Sequence, residues 1–311
     1  MLDPTTLFRW EPHVDQRTVH VDTLVVTLGS YVDAGHTQRQ LDDHLLQRLP
    51  NRLLGTFDAD QLYDYTTRRP QIVFDRNRFD DFRGPRLALH LLTDHDGRDF
   101  LLLNGPEPSL QWERAAAAVV YLADQLGVAH TLVVSTMPAP APHTRPVFIS
   151  RYASDPALVA GEPAVLGTFN IAAAFPGLLT LRLGESGHEV VGLLAHVPHY
   201  LAETDFPPAA SAMVKALRDR THLALPTDGF ELSSALATKQ IDAQIAQSEE
   251  LTEMVRTLEE QYDRFVEQVR LSPSHDGQLP SADELGARFE DFLANLGDEG
   301  TDQPQPPASD T

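Results

Sequence analysis

The stretch Leu24-Val25-Val26-Thr27-Leu28-Gly29-Ser30-Tyr31-Val32-Asp33-Ala34-Gly35 decides the fold. Its first five residues are an apolar run rich in β-branched side chains, as a buried strand requires. A turn bounded by Gly29 and Gly35 follows. A helical pattern then continues through Leu41, Leu45, Leu46 and Leu49. The same alternation runs outward over the first 230 residues. Strands are expected at Arg52–Phe57, Gln71–Phe74, Leu132–Ser135, Val147–Ser150 and Val190–Val197. Leu87–Thr93 and Asp99–Leu103 read as a hairpin around Asp94-His95-Asp96-Gly97, a turn-forming cluster. Helices are expected from Leu110 to Gly127, with Ser109 as N-cap and Gly127 as C-terminal stop, and over Pro176–Glu185 and Pro207–Arg220. Strands separated by helices of this length imply an α/β fold, with a mostly parallel sheet and helices on both faces.

Beyond residue 230 the pattern changes. The spacing of Leu251, Val255, Leu258, Tyr262, Phe265 and Val269 is a heptad seam, and Leu285, Phe289, Phe292 and Leu296 repeat it. The expected organisation is an α/β domain over 1–230, a helical hairpin over 231–296 and a disordered acidic tail over 297–311. The seam can close on itself, on the main domain or on another subunit. Charge follows the same division. The chain of 311 residues has a net charge of -21, and residues 231–311 hold 18 acidic against 5 basic side chains.

Composition removes several chemistries. There is no cysteine, hence no disulfide, thiolate metal site or cysteine nucleophile. Only Lys215 and Lys239 are lysines, and neither follows a glycine, so there is no P-loop. Without a basic block the chain is not expected to bind nucleic acid. It has no signal-peptide pattern and no apolar run of about 20 residues, so a cytoplasmic protein with no membrane span is expected. Two near-motifs fail on spacing. His188-Glu189-Val190-Val191-Gly192 lacks the second histidine of a zinc-protease helix, and Gly184-Glu185-Ser186-Gly187-His188 has its second glycine one position early for a nucleophile elbow.

What remains is a set of polar residues at strand ends, where ligands bind in open α/β sheets. The candidate ligand-binding residues are Gly29, Asp33, Gly35, Glu107, His143, Arg145, His196 and His199. Gly29 to Gly35 is either an anion-binding turn or a tight turn with Asp33 as helix cap. Arg145 would join the Gly29 turn in holding an anion, Glu107 or His143 would move protons, and His199 would orient a substrate. Three imidazoles and Glu107 would suffice chemically for a metal. Residues three apart in a strand face opposite ways, however, so His196 and His199 converge only if Pro198 turns the chain. No metal and no cofactor is expected.

Several blocks together, Gly29 to Gly35, Gly105-Pro106-Glu107-Pro108, Gln111-Trp112-Glu113, Pro142-His143-Thr144-Arg145-Pro146 and His196-Val197-Pro198-His199-Tyr200-Leu201, resemble the proteasome assembly chaperone 2 family in its actinobacterial branch. The resemblance spans roughly residues 20–225. It implies a three-layer α/β/α sandwich of the phosphorylase/hydrolase-like type and self-association, with a trimer as the candidate form. Eukaryotic members grip proteasome rings through a C-terminal hydrophobic-Tyr-X motif; this sequence ends Ala308-Ser309-Asp310-Thr311. Two functions follow as expectations: a non-enzymatic, self-associating protein with a chaperone-like or assembly role, or a small-molecule-binding or hydrolase/phosphorylase-like protein using the strand-end pocket.

Overall fold

Successive side chains along a strand point to opposite faces, so a strand that is apolar throughout needs a core on each side. The computed structural model describes residues 2–29, 32–163, 168 and 170–271, and it supplies both cores. The chain divides into two compact units, residues 1–160 with 173–267, and residues 161–172 with 268–311. In the second unit the described residues include a turn at Gly161 and the last helical residues, 268–271. The first unit holds all the described strands.

Its strands are β1 (Phe8–Trp10), β2 (Thr23–Gly29), β3 (Asn51–Phe57), β4 (Gln71–Asp75), β5 (Arg78–Arg83), β6 (Ala88–Thr93), β7 (Asp99–Pro106), β8 (His130–Ala139), β9 (Ile149–Ala153) and β10 (Glu189–Pro198). The helices are α1 (Thr37–Arg48), α2 (Ala59–Leu62), α3 (Trp112–Leu126), α4 (Phe175–Glu185), α5 (Pro207–Thr221), α6 (Phe230–Ile245) and α7 (Glu249–Leu271), all within the first unit except residues 268–271 of α7. Eight strands form one sheet in the order β1-β3-β6-β7-β2-β8-β10-β9. The central four, β7, β2, β8 and β10, run parallel, and antiparallel strands flank them on both sides.

Along β2, Leu24, Val26 and Leu28 enter one core with α3 and α4, while Val25 enters the other with α1 and α5. β7 does the same, with Leu101 and Leu103 on the first side and Phe100 and Leu102 on the second. This double burial makes the three-layer sandwich. Helix α3 can lie close because it is a run of alanines, with Ala115, Ala116, Ala118 and Ala123 all buried.

Several element boundaries differ from the sequence expectation. Ser109 does not cap α3. The helix starts at Trp112 behind Gln111, which is in the left-handed region (φ 55°), because the Ser109 and Leu110 amides both donate to the Leu62 carbonyl. Gly127 does end it, at φ 76°. β7 extends through Asn104-Gly105-Pro106, so the strand-end loop begins at Glu107, and β8 takes in Met137 to Ala139. Gln71–Phe74 is a strand, but it pairs with β5 in a separate two-stranded hairpin whose residues are all exposed. Asp94 accepts from the amides of Asp96 (2.9 Å), Arg98 (2.8 Å) and Ala224 (2.8 Å), which makes its loop a turn pinned to the chain that follows α5.

The heptad seam of α7 faces the first unit's own loop before β9. Val255 and Leu258 are buried, Phe265 meets Phe148 edge-on at 5.2 Å, and the Tyr262 hydroxyl donates to the Pro146 carbonyl (2.7 Å). The repeat at Leu285 to Leu296 and the tail from 297 lie outside the described residues, as do Ser30 and Tyr31. Among the described residues no helix is long and apolar enough to cross a membrane.

The edge strand β9 tests how tightly the sheet is packed. Gly192 on β10 pairs with Tyr152, and a Cβ at that glycine would stand 2.0 Å from the phenol ring. Overpacking of this kind costs about 1–3 kcal/mol. Gly192→Ala is expected to lower stability by that amount in urea titration, and by less in a Tyr152→Ala background, where the clash is gone.

Candidate functional site at the carboxyl ends of the central strands

Sheet alternation splits the candidate residues between the two faces. Glu107 follows β7 on the α4 side. Its amide donates to the Gly29 carbonyl (2.9 Å), and its carboxylate accepts from the Phe175 amide at the first turn of α4. An acidic side chain is stabilised there by the helix dipole. Glu107 thus caps a helix.

The Gly29–Gly35 turn leads into α1 on the opposite face. Asp33 accepts from the Gln38 amide (2.8 Å) and the Arg39 amide (3.2 Å), so its carboxylate occupies the start of α1. Burial pushes its pKa up, and those two bonds pull it back. Ala34 donates to the Thr136 hydroxyl (2.8 Å), Gly35 to the Ala202 carbonyl (2.8 Å) and His36 to the Asp33 carbonyl (2.9 Å). The amides of Ala34, Gly35, His36, Gln38 and Arg39 are thus already in use, and a carboxylate sits where the anion would go. Gly35 is required by conformation and space: its φ is +66°, and a Cβ would lie 3.0 Å from that of Phe206.

The remaining four residues gather near the ends of β8 and β10. His143 is buried between the Tyr200 hydroxyl (2.7 Å from Nδ1) and the Asp242 carboxylate (2.9 Å from Nε2). The Tyr200 hydroxyl also accepts from the His143 amide (2.9 Å), and burial pushes its pKa up to about 12. Arg145 is held by α7, with two 2.8 Å bonds to Asp263 and one of 3.1 Å to Glu259. This bidentate pair neutralises the cation assigned to an anion. His196 lies 2.8 Å from the Ser150 hydroxyl on β9, and burial lowers its pKa to about 4. Pro198 does turn the chain, into a short 3-10 helix at His199–Leu201, but His199 packs edge-on against Tyr200. Among the described residues no three His, Asp or Glu side chains come together as metal ligands.

A different polar cluster lies under α1. Thr27 and Asn104 are register partners on β2 and β7, and both bond to Asp42, the hydroxyl at 2.5 Å and the amide at 3.3 Å. One turn earlier on α1, Gln38 is 2% exposed. Neither of its amide atoms has a hydrogen-bond partner, and neither does the Asn104 carbonyl oxygen. Burial pushes the Asp42 carboxyl up to about 8, against the bonds from Thr27 and Asn104; Asp33 and Asp43 push it the same way. The sequence signal was present but faint: Gln38 and Asp42 are four apart, alongside the buried Leu41 and Leu45.

The PAC2 family model matches residues 27–264, from the middle of β2 into α7. The chain belongs to the PAC2 family. Solved structures agree with this. A Mycobacterium tuberculosis protein of unknown function is 36% identical with a TM-score of 0.78, over 84% of this chain and 90% of its own. A Corynebacterium glutamicum protein of unknown function is 32% identical with a TM-score of 0.77, over 84% and 98%. A proteasome-assembly chaperone homologue of Mycobacterium tuberculosis shares the fold at 23% identity and a TM-score of 0.68, over 75% and 99%. No protein of curated function matches. In this PAC2 chain the matched region takes in α6 and the part of α7 that meets Arg145.

The pKa shifts set a pH dependence. Asp42 ordinarily titrates at 3.8, so the folded state keeps a proton that the unfolded chain releases. Stability therefore falls as pH rises from about 4 to about 8. His196 works in the opposite sense: its contribution is lost as pH falls from 6.5 to about 4, and it is constant above that window. Asp42→Asn is expected to remove most of the decline between pH 6.5 and 8 in urea unfolding. An unchanged slope would show that Asp42 ionises normally.

Proposed function

We propose that this PAC2 protein is a non-catalytic, self-associating assembly factor, which acts by presenting protein-binding surfaces to other subunits. One observation carries the reading. The side chains best suited to chemistry are used to hold the domain together: Glu107 caps α4, His143 bridges Tyr200 to α6, and Arg145 clamps α7. Both ring nitrogens of the buried His143 are engaged, and Arg145 and Glu107 are bonded to the helices they hold. Removing any of these three partners would loosen a helix. Family membership and the likeness to a proteasome-assembly chaperone homologue support the same role.

Native mass spectrometry tests this on the full chain, alone and mixed with proteasome α-type subunits from the same source. The expected result is a homo-oligomer, with a trimer as the candidate form, and a mixed complex. A monomer at all concentrations that leaves the subunits unchanged overturns the proposal.

A second reading, a small polar ligand at the strand ends, is favoured by the cluster under α1. Three buried amide atoms without partners, at about 1–3 kcal/mol each, ask for a hydrogen-bonding guest. Thermal-shift screening against nucleotides, phosphate and divalent cations checks it. A ligand-induced rise in melting temperature that Gln38→Leu abolishes supports it, and no shift with any of these sinks it.

A further inference from the structure

Two carboxamides under α1 are left with unmet atoms. Gln38 is 2% exposed, and neither its Oε1 nor its Nε2 has a hydrogen-bond partner; the Oδ1 of Asn104 has none either. Buried polar atoms are nearly always paired, so orphans gathered in one place ask for a guest. The chain turns back between Gly29 and Gly35. Asp42 on α1 therefore stands over Thr27, and Gln38 stands one turn nearer the strand end. Gly29, two residues past Thr27, lies on the same face of β2. Among the described residues, a Cβ on Gly29 would meet only the Gly105 carbonyl oxygen, at 3.9 Å. Space is thus left beneath Gln38 and beside Asn104.

The donor set says what fits there. Thr27 and Asn104 each give a hydrogen to Asp42, which fixes the carboxylate. The lone pairs of the Thr27 hydroxyl and the Asn104 carboxamide oxygen stay available. Asp33 and Asp43 add negative potential around Asp42, so an anion is disfavoured and a cation favoured. Oxygen donors of this kind suit a hard cation. Magnesium keeps several waters, and calcium takes about six to eight oxygens. One carboxylate with three neutral oxygens balances a single positive charge. Because Thr27, Asn104 and Asp42 are bonded to one another, the cage cannot widen, and the smaller alkali ion is the better fit.

We propose that this space is a sodium site, in which Asp42 supplies the charge and Thr27, Asn104 and Gln38 supply neutral oxygens. The inference rests on the second reading above for its site, and it names an ion as the ligand. Bound sodium takes the place of the proton that Asp42 otherwise keeps, so the carboxylate charge is paired.

Thermal unfolding of the full chain tests this at a pH above about 8, where Asp42 can ionise, as sodium chloride replaces choline chloride at constant ionic strength. The expected result is a saturable rise in melting temperature, with broadening of the sodium NMR signal when protein is added. Both are expected to be lost in Gln38→Leu and in Thr27→Val. Gln38→Leu exchanges an unpartnered amide for an apolar side chain of similar size, so it is expected to fold and to be no less stable than the unaltered chain without sodium. Potassium is expected to need at least about tenfold higher concentration for the same rise. No rise, a rise kept in both variants, or one that potassium or calcium gives at lower concentration than sodium overturns the proposal. If sodium gives none, but nucleotides or phosphate raise the melting temperature of the unaltered chain and not of Gln38→Leu, the second reading stands and only this inference fails. No shift with any of them sinks both.

Discussion

The rest of the structure depends on the burial of the central strands on both faces. A residue in the middle of β2 or β7 points into one apolar core or the other, and there is no wet side for a charge. Polar side chains are tolerated where the strands end, and the candidate residues all sit at or just beyond those ends. Alternation also separates them. Glu107 serves the α4 side, while Thr27, Asn104 and Asp42 serve the α1 side, with the thickness of the sheet between. A strand-end pocket drawing on both groups has to form beyond the sheet edge, where the Asp33 turn is already tied to β8 and to the chain before α5.

The polar residues around β8 and β10 attach the helical extension. His143 reaches α6, and Arg145, Tyr262 and the Phe148–Phe265 pair hold α7. Aromatic contact and a bidentate ion pair act together there, so α7 is positioned by apolar packing and oriented by charge. The acidity of the extension then has two parts. Asp263 and Glu259 meet an arginine, and the glutamates toward the start of α7 face outward.

Much of the fold was legible because burial leaves a periodic trace. Leu24–Leu28, Leu132–Ser135 and Val190–Val197 read as strands, and the spacing of Leu251 to Phe265 read as a helix with one apolar face; the structure has each of them. The α3 start was misplaced because Ser109 has a cap's side chain but its amide is held by Leu62, a contact far away in sequence. The β4–β5 hairpin was only half seen, since strand propensity at Gln71–Phe74 does not reveal whether a partner sheet exists. At the site, sequence identified residues with reactive side chains. It could not show that Asp42, a helix residue with no motif around it, ends up against Thr27 and Asn104.

The sequence by itself determined the class of fold, the family and the chemistries that are missing, because these follow from local periodicity and from which side chains are present at all. Tertiary structure alone decided which polar groups meet. Arg145 finds Asp263 across more than a hundred residues, and His143 finds Asp242 across a similar span. A cation's role is set by the nearest carboxylate in space, and spacing along the chain does not encode that distance.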